Sequence, residues 1–133
     1  MNKNYTKALD IAENTLCRIN SIYDNASTAN FEDIRGCKAT EKLIEDLEGF
    51  IRDIKHYSKP IQEGYLQLKS NGRYSLENIE LTCGYPVEIY NTESHAWNDG
   101  RIEHSDKYNG YYFYNYDENH IALNNNIRAR VRI

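Results

Sequence analysis

The spacing of apolar residues changes partway along the chain, and this change restricts the folds that the chain can adopt. Between residues 5 and 54, apolar side chains recur at steps of three and four, which is the period of one face of an α-helix. From Gly64 onward they alternate with polar residues, which is typical of β-strands with one buried face. We therefore expect an α+β protein in which a helical part, residues 1–60, precedes a β part, residues 61–133.

Two apolar stripes define the helical part. They consist of Tyr5, Leu9, Ala12, Leu16, Ile19 and Tyr23, and of Leu43, Leu47, Phe50 and Ile54, the second stripe being flanked by Ile44 and Ile51. Between them the segment DNASTAN supplies turn and N-cap residues, and Pro60 ends the second helix. The second helix begins at Phe31, or it begins near Thr40 after a turn at Gly36. Two such helices with a short connection predict an antiparallel hairpin.

Tight-turn signals divide the β part into short strands. Asn71-Gly72 and Asn109-Gly110 are strong hairpin signals, and Cys83-Gly84 marks another turn. The predicted strands are residues 65–69, 73–76, 79–81, 86–90, 97–104, 111–116, 121–123 and 127–133. Short strands with tight turns in this number predict a small antiparallel SH3-like β-barrel or a strongly bent sheet.

The stretch YNGYYFYNY, residues 108–116, carries an aromatic ring at most of its positions. If Tyr111 and Phe113 face the core, the tyrosines between and after them face outward, because side chains alternate along a strand. Exposed tyrosines offer a large contact area at a small entropy cost. The predicted partner-binding residues are therefore Tyr112, Tyr114, Tyr116 and Trp97.

The segment IRARVRI, residues 127–133, places Arg128, Arg130 and Arg132 on one strand face and apolar residues on the other. The three arginines form a basic strip in a chain whose net charge is −4. Arginine forks suit phosphate and carboxylate groups. Two interpretations fit: the strip binds nucleic acid or an acidic partner, or it is a solvated outer face that pairs with nearby acids such as Glu88 or Glu103.

Composition narrows the classes of function. The net charge of −4 and the pI near 5.6 disfavour bulk attraction to DNA or to an anionic membrane. The sequence shows no signal peptide and no apolar run that could span a bilayer, so we expect a cytoplasmic protein with no membrane partner. Cys17, Cys37 and Cys83 are odd in number and lack CxxC spacing, which indicates free thiols in a reducing compartment.

The sequence holds no recognisable catalytic or metal-binding motif. No zinc-ligand spacing includes the histidines His56, His95, His104 and His120. A metal site would require the fold to bring His95, His104 and Cys83 together. Glycine loops for phosphate and GxSxG nucleophile motifs are missing as well. We therefore expect no enzymatic activity, no metal and no cofactor.

Short motifs run through the β part: GRY at 72–74, ELTCG at 80–84, VEI at 87–89, Trp97, RIEH at 101–104 and GYY at 110–112. In these motifs, residues 63–133 resemble the family known as domain of unknown function 5348, small proteins common in Firmicutes and their mobile elements. The resemblance does not extend to the helical part. It implies a mobile-element context and no catalytic residues.

Three functions are consistent with these features. The first is a non-enzymatic inhibitor or adaptor from a phage or mobile element that binds a bacterial protein, such as a nucleic-acid-processing enzyme. An anti-CRISPR protein that blocks a defence nuclease is the most concrete form of this hypothesis. The alternative is a nucleic-acid-binding SH3-like module that stacks bases on Tyr112 and Tyr114 beside the basic strip. The third is a structural homodimer that pairs through the helices.

Overall fold

The computed structural model describes residues 1–133 and divides them into two compact units, residues 1–59 and residues 60–133. The predicted α+β class, with a helical hairpin followed by a strongly bent antiparallel sheet, is confirmed. The helices are α1, Lys3–Asp24, and α2, Phe31–Tyr57. The strands are β1 Ile61–Leu68, β2 Tyr74–Leu76, β3 Ile79–Leu81, β4 Pro86–Asn91, β5 Ala96–Ser105, β6 Gly110–Tyr114, β7 Ile121–Ala122 and β8 Arg128–Arg132, with a short 3-10 helix, Asp106–Tyr108, between β5 and β6.

Asparagine side chains start both helices. Asn2 and Asn30 each accept a hydrogen bond at 2.8 Å from a backbone N–H in the first turn, which satisfies one of the donors that a helix leaves free at its N-terminus. α2 begins at Phe31 and continues through Gly36 without a break. Of the two predicted starts of this helix, the earlier one is therefore correct.

Two contacts across the hairpin show which residues of α1 and α2 lie at the same level. The hydroxyl of Tyr23 donates a hydrogen bond of 2.7 Å to Glu41, and Lys55 forms an ion pair with Glu13. Ala12 is the one fully buried residue in the two helices. The hairpin consequently buries little apolar surface in its own interior.

The apolar stripe of α2 is centred differently from the predicted one. The half-buried aliphatic residues of this helix are Ile44, Leu47, Ile51 and Ile54. Leu43 and Phe50, which belong to the predicted buried stripe, are instead exposed. The apolar arc of α2 is therefore wider than the surface that one neighbouring helix covers.

All eight strands belong to one antiparallel sheet in the order β3-β2-β1-β8-β4-β5-β6-β7. The sheet curls around its own core, since Leu66 of β1 and Phe113 of β6 belong to one buried cluster. The hydroxyl of Tyr74 in β2 donates a 2.9 Å hydrogen bond to the carbonyl of Leu123, just after β7, so the two edge regions approach each other. The buried cluster consists of Leu66, Leu76, Leu81, Val87, Ile89, Ile102, Phe113, Leu123, Ala129 and Val131.

Gly100 in β5 lies in close contact with β6. A Cβ atom at this position would lie 2.1 Å from the carbonyl oxygen of Tyr114 and 2.5 Å from the ring of Phe113. No side chain larger than hydrogen fits there without displacing backbone. Gly100 therefore sets the spacing of β5 and β6, the two strands that carry most of the candidate site.

Candidate functional site

The register of β5 and β6 decides which side chains point outward. Arg101 lies opposite Tyr114, and Ile102 lies opposite Phe113. Ile102 and Phe113 are fully buried. Because successive side chains alternate between the two faces of a strand, Arg101, Tyr112 and Tyr114 lie on the outer face of the curled sheet.

A cluster that we term the tyrosine patch occupies this outer face. Its members are Arg101, Tyr108, Tyr112, Tyr114, Tyr116 and His120. The guanidinium of Arg101 lies 4.4 Å from the ring centroid of Tyr114 and 5.6 Å from that of Tyr116, and it donates a 3.0 Å hydrogen bond to the Tyr116 hydroxyl. Tyr108 stacks on Tyr112 with 4.4 Å between ring centroids. These contacts hold the rings in place while Tyr116 remains 77% exposed.

Asn115 explains the polar interruption in the aromatic run. Its side chain is buried, donates 2.7 Å to the carbonyl of Asp99 and accepts 2.7 Å from the N–H of Asp117. These bonds form a turn, so β6 ends at Tyr114 and is shorter than the predicted strand 111–116. Tyr116 therefore projects from the turn that follows the strand.

Glu103 connects Arg101 to Cys83. The Nε of Arg101 donates to Glu103 at 2.5 Å, and the Cys83 thiol donates to the other carboxylate oxygen at 3.3 Å. The hydrogen bond from Arg101 holds the pKa of Glu103 below its usual range, and the bond to Glu103 raises the pKa of the Cys83 thiol. The hydrogen bond to Glu103 therefore disfavours the thiolate, which is the nucleophilic form of cysteine.

Carboxylates neutralise the predicted basic strip of β8. Arg130 donates to Glu88 at 2.9 Å, and Arg132 donates to the same carboxylate at 2.8 Å. Arg128 donates to Glu63 at 2.6 Å. Burial is the largest influence on Glu88 and opposes ionisation, but the hydrogen bonds from Arg132 and Arg130 outweigh it and hold the pKa of Glu88 below its usual range. The structure therefore shows the strip paired with nearby acids: Arg130 and Arg132 pair with Glu88, and Arg128 pairs with Glu63.

Trp97 lies beside these arginines. Its ring centroid is 4.2 Å from the guanidinium of Arg130 and 5.2 Å from that of Arg128, and the ring of Tyr90 meets it edge-on at 5.2 Å. Of the four predicted partner-binding residues, Trp97 thus joins an arginine cluster and the three tyrosines join the tyrosine patch. The arginine cluster consists of Glu63, Glu88, Tyr90, Trp97, Arg128, Arg130 and Arg132.

A groove with a volume of about 450 Å³ opens next to the arginine cluster. Tyr65 and Tyr90 line it together with Arg128, and Asn124 and Asn126 contribute amide groups. Aromatic rings beside a cation can stack on a planar group such as a nucleic-acid base. Ile89 of the core and Ile127, which packs against the core, line the groove as well, so it is a second place that can hold a ligand but is not confined to the outer face.

Sequence reasoning missed Arg101, Tyr65 and Tyr90. One signal for Arg101 was present, because it lies four residues after Trp97 in the same predicted strand and hence on the same face. No local signal places Tyr65 beside Tyr90, since β8 separates their strands in the sheet.

The structure contains no group of three or more His, Cys, Asp or Glu side chains placed to hold a metal ion. His95, His104 and Cys83 do not form such a group. Neither α1 nor α2 has an apolar stretch long enough to span a bilayer.

Comparison with known proteins identifies a family for the β unit. The model of a family described as a domain of unknown function, DUF5348, matches residues 64–131, just over half of the chain. The matched segment contains the tyrosine patch and the arginine cluster except for Glu63 and Arg132. No curated protein and no solved structure matches the chain.

Proposed function

Because the chain belongs to the DUF5348 family, whose description names no activity, we propose a function from its surface: a non-enzymatic protein-binding module that engages its partner through the tyrosine patch. The observation that carries this proposal is the arrangement of Arg101, Tyr114 and Tyr116. A guanidinium holds two outward-facing rings at 4.4 and 5.6 Å from their centroids. Tyrosine and arginine are among the residues that contribute most binding energy at protein interfaces.

The pre-ordered geometry of the patch favours tight binding. Tyr114 and Tyr116 pack edge to face with their centroids 5.6 Å apart, and the hydrogen bond from Arg101 fixes the Tyr116 hydroxyl. Ordering a side chain on association costs about 0.5–1.5 kcal/mol, so rings that are already held in place lose less entropy. The tyrosine patch thus has the character of a binding surface with anchors in position.

The charge of the chain indicates what kind of partner fits. The net charge is −4, and the arginines of β8 are paired with carboxylates, so the surface favours a cationic partner over a phosphate backbone. A bacterial nucleic-acid-processing enzyme offers such a surface in its basic channel. The specific form that we propose is an inhibitor or adaptor from a phage or mobile element, acting in the cytoplasm on such an enzyme, for example an anti-CRISPR protein on a defence nuclease.

Affinity capture with the tagged chain from a Firmicutes lysate, with and without nuclease treatment, tests the proposal. We expect a stoichiometric protein that stays bound after nuclease digestion and is identified by mass spectrometry. Tyr116→Ala should weaken its binding by about 2 kcal/mol or more, roughly 30-fold, as measured by biolayer interferometry. Tyr65→Ala is the matched control, because Tyr65 is an exposed tyrosine on the same sheet outside the patch. A partner insensitive to Tyr116→Ala would refute the site.

One observation favours nucleic-acid binding as a second candidate function. The groove places Tyr65 and Tyr90 beside Arg128, which is the combination that single-stranded nucleic acid requires. In that case a labelled single-stranded oligonucleotide should bind with an affinity that falls steeply with salt. Tyr65→Ala should then weaken binding, and Tyr116→Ala should leave it unchanged. The same two variants thus distinguish the two functions.

A further inference from the structure

α1 and α2 expose large aliphatic and aromatic side chains that their contact with each other leaves uncovered. Ile11 and Ile22 of α1 are 68% and 66% exposed, and Leu43 and Phe50 of α2 are 44% and 36% exposed. Ile11 and Ile22 are separated by about three helical turns and Leu43 and Phe50 by about two, so each pair lies along one line of its helix.

Both lines lie on the same side of the hairpin. At about 100° per residue, each line is offset by roughly a quarter to a third of a turn from the stripe that faces the other helix. Both lines are rotated in the same sense about their helix axes, and because the helices are antiparallel, both lines therefore face the same side of the hairpin. The ion pair between Glu13 and Lys55 lies on the opposite side. We call the surface formed by Ile11, Ile22, Leu43 and Phe50 the apolar hairpin face.

Exposed charged residues lie along both edges of the apolar hairpin face. Lys7 and Arg18 lie at its edge on α1, and Arg35, Asp46 and Asp53 lie at its edge on α2, where Asp53 forms an ion pair with Arg52. The cross-hairpin contacts place Arg18 at the level of residue 48, about half a helical turn from Asp46. Within one hairpin Arg18 and Asp46 lie on opposite sides of the face, so these two charges are available to a surface that covers it.

We propose that the apolar hairpin face binds the same face of a second copy of this chain and forms an antiparallel four-helix bundle. A twofold axis parallel to the helices places α1 of one copy against α2 of the second copy. The two helices are antiparallel, and the residues of α1 and α2 that lie at the same height within one hairpin also lie at the same height across the interface. Ile22 then meets Leu43 of the second copy, and Arg18 meets Asp46 of the second copy. A twofold interface must be self-complementary, and this face is complementary to itself in both apolar contacts and charge.

The whole side of the hairpin that carries the apolar hairpin face is large enough for a dimer interface. The 22 residues of α1 extend about 33 Å, and two helices side by side are about 20 Å wide, which gives roughly 650 Å² per copy. Specific interfaces bury about 800 Å² per partner and exceed about 1,000 Å² in total. A bundle also supplies the interior that a hairpin with one buried residue lacks.

The oligomeric state of the full chain tests this inference. Sedimentation velocity at about 100 µM, where an interface of this size should be occupied, is expected to show twice the chain mass of 15.6 kDa. Ile22→Glu should give a monomer with unchanged helical circular dichroism. Ile34→Glu is the matched control and should remain dimeric, since Ile34 is also exposed on a helix but lies on the opposite side of the hairpin. A monomeric wild-type chain would overturn the inference.

Charge reversal tests the register of the bundle. Arg18→Asp should raise the dimer dissociation constant several-fold, because the new carboxylate would then face the carboxylate of Asp46 in the second copy. Adding Asp46→Arg to this variant should restore dimerisation, because the cation and the carboxylate then face each other again with their positions exchanged. A double variant as weak as the single one would exclude this register. The result is independent of the tyrosine patch, so the failure of either proposal leaves the other standing.

Discussion

Glu88→Gln removes a negative charge from between two guanidinium groups and leaves the side-chain shape almost unchanged. In the native protein the Glu88 carboxylate accepts hydrogen bonds of 2.8 to 3.1 Å from Arg130 and Arg132. All three side chains are largely buried. The variant leaves the two cations near each other, in a place that water reaches poorly, without this counter-charge.

The expected loss of stability follows from this burial. Removing one partner of a buried ion pair costs about 3–5 kcal/mol. The side chains of Arg130 and Arg132 are 19% and 11% exposed, and the Gln oxygen can still accept a hydrogen bond, so we expect about 3 kcal/mol, the lower end of that range. A loss of this size should lower the Tm of a unit this small by roughly 12 °C or more.

Urea unfolding followed by tryptophan fluorescence measures this loss. Trp97 is the sole tryptophan and lies 4.2 Å from Arg130, so its emission reports on the β unit. Glu63→Gln is the matched control. The side chains of Glu63 and its partner Arg128 are 38% and 42% exposed, and ion pairs this exposed contribute less than about 1 kcal/mol.

Equal losses in the two variants would refute the reasoning. So would a loss below about 1 kcal/mol in Glu88→Gln, because it would assign the Glu88 pairs to the class of solvated surface contacts. Arg130 would then be able to exchange its carboxylate partner for an external anion. Such a result would strengthen nucleic-acid binding relative to protein binding.

Three further predictions concern stability. Gly100→Ala should destabilise the β unit by about 3 kcal/mol or more in the same urea assay, since the new Cβ would lie 2.1 Å from a backbone carbonyl; wild-type stability would contradict the packing described. Gly36→Ala should stabilise the helical unit by about 1 kcal/mol in thermal melts followed at 222 nm, because nothing lies within 4 Å of the new Cβ, and a lower Tm would mean that this helix position is not open. Because the pKa of Glu88 is lower in the folded protein than in the unfolded chain, its ionisation contributes to the free energy of unfolding. This contribution is fully present above the pKa of Glu88 in the unfolded chain, about 4.3, and is lost as the pH falls through the pKa in the folded protein. The stability of the β unit should therefore decline below about pH 4.3, and an equally steep decline in Glu88→Gln would assign the effect to other carboxylates.

Local patterns were sufficient to predict the elements of the fold. The steps of three and four predict both helices, and the Asn-Gly pairs mark the β1–β2 and β5–β6 connections. The facing stripe of α2 was predicted less well, with Leu43 and Phe50 exposed and Ile44 and Ile51 half-buried. Apolar spacing locates an apolar arc, but when the arc is wide it cannot tell which part meets the neighbouring helix.

The site depended on strand pairing that the sequence does not encode locally. Alternation alone predicts that the arginines of β8 share a face, which left open whether they bind a ligand or pair with acids. The choice depends on β8 lying beside β4, which brings Arg130 opposite Glu88. The pairing of β4 with β8 joins two segments that are far apart in the sequence. Arg101 entered the tyrosine patch for the same reason, through the register of β5 with β6.

The position of β8 also fixes the order in which a newly made chain can assemble. Without it the sheet falls into two pieces, β3-β2-β1 and β4-β5-β6-β7, and β1 and β4 each present an unpaired edge. A ribosome adds about 5–20 residues per second, so β8 is synthesised roughly 3 to 12 s after β1, and until then β1 lacks its second neighbouring strand. The hairpin of α1 and α2, by contrast, needs only local contacts to form. Unpaired edges are templates for association with other chains. The interval before β8 emerges is therefore when this protein is most exposed to aggregation and to capture by chaperones.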